Sequence, residues 1–109
     1  MKKKKILITG VCGFIGYSLA AKLLTKKNII VVGIDSINNY YDPKLKKARL
    51  SDLKSKFKKN FSFYKCKLEN KKSIESIFQK HKFNIVINLA AQAGVRYSLE
   101  NPDAYVQSN

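Results

Sequence analysis

The sequence predicts an α/β fold: the N-terminal part of a doubly wound parallel sheet, strand order 3-2-1-4, with helices on both faces. Three observations predict it. A glycine-spaced turn, Gly10-Val11-Cys12-Gly13-Phe14-Ile15-Gly16, joins a short apolar run to an amphipathic one. The runs at 5–9, 29–35 and 85–89 are near-continuously apolar, as expected of parallel strands covered on both faces. Between these runs lie segments with helical spacing, the alternation that builds parallel sheets.

The elements follow in order. Residues 5–9 form a first strand and 14–27 a first helix, with Ile15, Leu19 and Leu23 on one face and Lys26-Lys27-Asn28 at its end. A second strand covers 29–35. Pro43 suits the first turn of a helix running to about Lys59, with Leu45, Ala48, Leu53 and Phe57 roughly on one side. Phe61-Ser62-Phe63-Tyr64-Lys65 alternates, which places it at a sheet edge. Asn70 can cap a helix whose Ile74, Ile77, Phe78 and His81 recur at i, i+3, i+4 and i+7. His81 then ends that helix as a packing or surface residue rather than a general base. The fourth strand covers 85–89 and leaves an apolar edge. Asn101-Pro102 reads as the start of a helix cut off at Asn109.

A strand, a glycine turn and a helix in that order seat a diphosphate on the helix N-terminus. The first glycine permits the turn, the second lets backbone approach phosphate oxygens, and the third lets helix and strand pack closely. Asp35 closes the second strand, 19 residues beyond Gly16. A carboxylate there can accept from both hydroxyls of an adenosine ribose. It would repel a 2′-phosphate, and no Arg follows nearby to neutralise one, so the expected cofactor is NAD rather than NADP.

Composition excludes several alternatives. The 22 basic residues against 7 acidic give a formal charge of +15, which raises the possibility of nucleic-acid binding. Only Arg49 and Arg96 are arginines, however, and the lysines are spread along the chain where exposed faces are expected. Specific nucleic-acid recognition is not expected, although non-specific adhesion at low salt is. Cys12, Cys66 and the single His81 form no ligand pattern, so no metal and no disulfide framework are predicted. Gly10, Gly13 and Gly16 interrupt the apolar run after the basic N-terminus, which argues against a signal peptide. No stretch approaches membrane-spanning length. A cytoplasmic protein with reduced thiols is the expectation.

With these residues in place, the Gly-x-x-Gly-x-x-Gly turn resembles the extended, nucleotide-sugar-modifying branch of the short-chain dehydrogenase/reductases, which have a Rossmann-like fold. Two segments sharpen the likeness: Asn39-Tyr40-Tyr41-Asp42-Pro43-Lys44-Leu45-Lys46-Lys47-Ala48-Arg49-Leu50, and 88–109 with its Gln92-Ala93-Gly94-Val95-Arg96-Tyr97-Ser98 core. Both are similar to the UDP-glucuronate 4-epimerase family of NAD-dependent epimerase/dehydratases. The likeness runs from about residue 5 to 109.

The resemblance implies that residues 1–109 are a partial NAD-binding domain, with the catalytic and substrate-binding part outside it. It implies that Gly10, Gly13, Phe14, Ile15 and Gly16 hold the pyrophosphate and Asp35 the ribose. Ser36 and Asn39 would line the adenine side and Leu68 the loop beside it. Leu89, Ala90, Ala91 and Gln92 would flank the nicotinamide ribose, and Asn109 would touch the cofactor. Arg96 either faces an anionic UDP-sugar or pairs with Glu100 or Asp103 at the surface.

Complete members would be homodimers that invert C4 of a UDP-sugar through a 4-keto intermediate, with transient hydride transfer to NAD. Two departures stand out. Lys67 occupies the place where relatives carry an adenine-binding Asp, and a Lys cannot accept a hydrogen bond. The family's catalytic Tyr-x-x-x-Lys pair falls beyond residue 109, so no catalytic residue is assigned and the 109-residue chain is expected to be inactive. Tyr40 and Lys44 share that spacing, but Pro43 between them blocks a continuous helix, and they belong to the adenosine side. The alternatives are another epimerase or dehydratase of the same branch, such as a UDP-glucose 4-epimerase or UDP-xylose synthase, and a non-catalytic nucleotide-binding module.

Overall fold

The computed structural model describes residues 3–37, 43–90 and 104–107. Its elements are β1 (Lys4–Thr9), α1 (Phe14–Leu24), β2 (Ile29–Asp35), α2 (Pro43–Lys56), β3 (Phe61–Lys65), α3 (Lys71–Lys80), β4 (Ile85–Asn88) and β5 (Ala104–Gln107). All pairings in the sheet are parallel and the strand order is β3-β2-β1-β4-β5. The predicted 3-2-1-4 core is therefore present, with the glycine strand central and the alternating strand at one rim.

Strand parity divides the apolar residues between two layers. Ile6, Ile8, Val31 and Phe61 face α1 and α2 in one cluster with Val11, Ala20, Leu24 and Leu53. Leu7, Val32, Ile34 and Val86 face α3 in the other, where Ile74, Ile77 and Phe83 cover them. Position 33 lies on the α1/α2 face by parity, and it is glycine where Val11 crosses over it: a Cβ at Gly33 would come within 2.7 Å of Val11 Cγ1.

Four expectations change. The first helix ends at Leu24 rather than residue 27, where the Thr25 amide and hydroxyl both turn back onto the Lys22 carbonyl (3.3 and 2.6 Å). Its deepest stripe is Gly16-Ala20-Leu24, while Ile15 is exposed and Leu19 and Leu23 are only half-buried. The second helix is rotated from its expected face: Leu45 and Ala48 are exposed, whereas Lys46, Arg49, Leu50 and Leu53 turn inward at i, i+3, i+4 and i+7. Finally, Ala104–Gln107 is a strand and not part of a helix. It pairs with β4 in the register Ile85↔Ala104 to Asn88↔Gln107, so the edge of β4 is covered and β5 becomes the rim.

The third helix matches its expectation. The Asn70 side chain accepts from the Ser73 amide at 3.2 Å, capping the first turn, and Ile74 and Ile77 are buried. His81 follows α3 directly, and its ring packs between Tyr64 and Phe83.

Candidate functional site

The site begins where β1 runs into the glycine turn. The Gly10 amide donates to the Ile34 carbonyl at 2.8 Å, which locks the turn onto the end of β2. Gly10 has φ +71°, a conformation that only glycine adopts without strain, and a Cβ there would press within 3.0 Å on the backbone of Leu89 and Ala90. The Gly13 amide turns back to the Gly10 carbonyl (3.0 Å), and Gly13, in extended conformation, is the N-cap of α1. Having no side chain, it supplies no cap. The first amides of α1, on Phe14, Ile15 and Gly16, have no intrahelical acceptor and open at the positive end of the helix dipole. No acidic residue lies in that first turn.

Asp35 stands one strand over, on the α1/α2 face by parity, with its side chain only 3% exposed. Its Oδ2 accepts from the Cys12 amide at 3.0 Å, and its Oδ1 accepts from the Ile37 amide at 2.9 Å. Ile37 itself has φ +49°, a strained conformation for a β-branched residue, at the point where the chain leaves the strand. The carboxylate is thus fixed toward the glycine turn. It also meets a cation: Lys46 Nζ lies 3.1 Å from Oδ1. One turn on, Arg49 donates to the Cys12 carbonyl at 3.0 Å and its guanidinium sits 5.9 Å from the Phe14 ring centroid. The expectation that no Arg stands nearby is therefore corrected: helix α2 brings Arg49 to the Cys12 carbonyl, beside Asp35, and Lys46 to the carboxylate itself.

The far side of the site is held by a buried polar network. Thr9 and Asn88 are both buried; the Thr9 hydroxyl donates to Asn88 Oδ1, and the Asn88 amide donates to the Tyr105 hydroxyl at 3.3 Å. The Leu89 amide reaches the Thr9 carbonyl (3.2 Å) and the Ala90 amide its Oγ1 (3.4 Å). These bonds bring Leu89 and Ala90 against Gly10.

The other predicted residues divide. Phe14 and Ile15 sit at the helix mouth with 72% and 65% exposure, large apolar surfaces of which the Phe14 ring is met by the Arg49 guanidinium. Ser36 follows Asp35 at the rim. Leu68 packs instead with the cluster under α3, and Lys67 is exposed with its carbonyl accepting from the Asn70 amide (3.0 Å). Asn39, Ala91, Gln92, Arg96 and Asn109 lie outside the described residues, as does Tyr40. Lys46 and Arg49 are the residues that sequence reasoning missed. The available signal was their i, i+3 spacing on a helix that returns toward β2.

Burial disfavours the thiolate at both cysteines. Burial, reinforced by the Asp35 charge, pushes the Cys12 thiol up to about 12. The Cys66 thiol is also raised by burial. Among the described residues no cluster of His, Cys, Asp or Glu could hold a metal, and no helix is long and apolar enough to cross a membrane. A surface depression of about 340 Å³ lies elsewhere, lined by Tyr64, Lys65, Cys66, Lys72 and Lys80 beside α3. It is open and contains no part of the glycine turn, so the site is assigned from the turn and the carboxylate instead.

Comparison with known proteins finds relatives along nearly the whole chain. The family model of GDP-mannose 4,6 dehydratase matches residues 7–109. Protein CapI of Staphylococcus aureus is 54% identical over 105 residues, which cover 96% of this chain and 30% of that protein. The UDP-glucuronate 4-epimerase of Thermodesulfobacterium geofontis is 47% identical over 103 residues, covering 94% of this chain and 31% of that protein. Among solved structures, UDP-glucuronic acid 4-epimerase from Bacillus cereus in complex with UDP-glucuronic acid and NAD superposes with a TM-score of 0.70 at 33% identity, covering 88% of this chain and 29% of that one. The chain spans about a third of the length of the curated relatives it matches.

Proposed function

Because the chain belongs to the GDP-mannose 4,6 dehydratase family, we propose that it is the NAD-binding portion of a nucleotide-sugar epimerase acting at C4 of UDP-glucuronate. One observation carries the cofactor part of this reading: an uncapped helix N-terminus and a buried carboxylate face the same turn, joined by the 3.0 Å bond from the Cys12 amide to Asp35. The first is a site for a diphosphate and the second for a sugar diol. The substrate part rests on relatives that are UDP-glucuronate 4-epimerases and on the two similar segments of the sequence.

The residues present fit a dinucleotide. The amides of Phe14, Ile15 and Gly16 would hold the pyrophosphate, with the Phe14 and Ile15 side chains shielding it from water. Asp35 would accept from the ribose hydroxyls. Leu89 and Ala90, pinned against Gly10 by Thr9, would give the nicotinamide ribose a smooth backbone wall. Asn39, Ala91, Gln92 and Asn109 complete this proposed lining, and Arg96 is proposed to face the UDP-sugar. NAD, when bound, supplies the hydride acceptor that inversion at C4 requires. The protein's own share in this region is to bind and orient, since within 1–109 the Tyr-x-x-x-Lys spacing occurs only at Tyr40–Lys44, where Pro43 intervenes.

Calorimetric titration of the purified chain with NAD, and with UDP-glucuronate added afterwards, tests the proposal. The expected result is saturable NAD binding without conversion of the sugar. Absence of NAD binding by a folded chain overturns the cofactor reading, and turnover of UDP-glucuronate by residues 1–109 overturns the assignment of a binding role alone.

A further inference from the structure

Helix α2 offers a second element of ribose recognition, which rests on the dinucleotide reading above. A ribose hydroxyl is both donor and acceptor, whereas a carboxylate only accepts. Asp35 can therefore satisfy the hydroxyl protons but not the oxygen lone pairs. Its side chain is 3% exposed, so little water is available to complete the set. Two of the carboxylate's positions are already taken by the Cys12 and Ile37 amides. The remaining partner is the Lys46 ammonium, 3.1 Å from Oδ1 on a side chain 20% exposed. It has three donors, of which one is spent on Asp35 among the described residues.

We infer that Lys46 is a ribose-binding residue: its ammonium stays beside Asp35 and donates to a hydroxyl oxygen of the diol, while Asp35 accepts one hydroxyl proton at the acceptor position that Cys12, Ile37 and Lys46 leave free. The placement follows from the rotation of α2. Leu50 and Leu53 anchor the inward stripe, which carries Lys46 and Arg49 to the glycine turn, with Arg49 held on the Cys12 carbonyl. Lys46 then plays two parts. Without ligand it neutralises a buried carboxylate; with ligand it supplies the donor that the carboxylate lacks.

The test compares 5′-ADP with 2′,3′-dideoxy-ADP, which keeps the adenine and diphosphate but lacks both hydroxyls. Calorimetry is run on the full 109-residue wild-type chain and on Lys46→Ala and Lys46→Arg, with circular dichroism to verify folding. Loss of one charge-assisted hydrogen bond predicts that K46A binds 5′-ADP about tenfold more weakly. K46A and wild type should bind the dideoxy nucleotide within about twofold, and K46R should recover part of the lost affinity.

Equal weakening toward both nucleotides would reduce Lys46 to a general attraction for diphosphate, and unchanged 5′-ADP affinity would remove it altogether; either result overturns the inference. Wild-type protein that binds both nucleotides equally would show that the diol is not recognised at all, which removes Asp35 together with Lys46. An unfolded K46A shifts the decision to K46R, whose discrimination between the two nucleotides must then exceed about threefold for the inference to survive.

Discussion

Replacing Gly16 with Ala sets two effects of opposite sign against each other. On an ordinary helix, Gly→Ala gains about 1 kcal/mol because the unfolded chain loses backbone freedom. At position 16 the new Cβ would lie 2.2 Å from the Gly10 carbonyl oxygen and 3.0 Å from Gly10 C and Val11 Cα. All three are backbone atoms, so no rotamer change relieves the contact. The turn cannot retreat either, because Gly10 is tied to Ile34 at 2.8 Å and abuts Leu89 and Ala90. The helix must therefore withdraw by about 1 Å, loosening Ala20 and Leu24 against the sheet. Overpacking of this kind costs roughly 1–3 kcal/mol in a side-chain core, and the upper end applies where only backbone can yield. The net expectation is a loss of about 2 kcal/mol, measured by urea denaturation with circular dichroism and an unchanged m-value. Gly13→Ala is the control: its Cβ would meet only the Gly10 oxygen at 3.3 Å, and a loss below about 1 kcal/mol is expected. A G16A protein as stable as wild type would refute the close-packing argument, and with it the reason for the third glycine.

Other perturbations test different parts of the structure. Asp35→Asn places an amide group against donors from Cys12, Ile37 or Lys46; a loss of roughly 1–3 kcal/mol in urea denaturation is expected, together with weaker 5′-ADP binding. Burial lowers the His81 pKa below its ordinary 6.5, and the charges of Lys5 and Lys80 lower it further. The unfolded chain therefore binds this proton first, so the stabilising contribution is complete above about 6.5 and is lost as pH falls through that value toward the folded one. His81→Gln should flatten the stability profile between pH 7 and pH 5; an unaltered slope would exclude His81 as its source. At pH 8 the buried Cys12 should resist a thiol reagent until the protein unfolds, with Cys66 reacting slowly beforehand. Simultaneous rapid labelling of both would contradict the burial of Cys12.

Much of this arrangement is legible in the residues themselves. The bounds of β2 and β3 follow from their composition and flanking turn residues, and Asn70 announces α3 as its cap. The glycine turn and Asp35 mark the proposed dinucleotide site because their chemistry is local and their spacing is fixed by one strand, one turn and one helix. Other features depend on contacts distant in sequence. Ala104–Gln107 follows an Asn-Pro pair that resembles a helix start, yet pairing with β4 overrides that signal, and four residues are too few to display a period. The inward face of α2 defeats a hydrophobic reading because half of it is cationic: Lys46 and Arg49 turn in to meet a carboxylate and a carbonyl, while Leu45 is left outside. Gly33 reads as an ordinary strand residue until Val11 is found lying across it.

The alternation of β2 has a consequence for how this region can vary. Val31, Gly33 and Asp35 share one side of the ribbon, and Val32 and Ile34 the other. Inserting a single residue between Gly33 and Asp35 would swing the acid through half a revolution, into the oily layer beneath α3, and bring an aliphatic group to the glycine turn in its place. Within β2, only insertions in pairs would keep the acid on the side of the glycine turn.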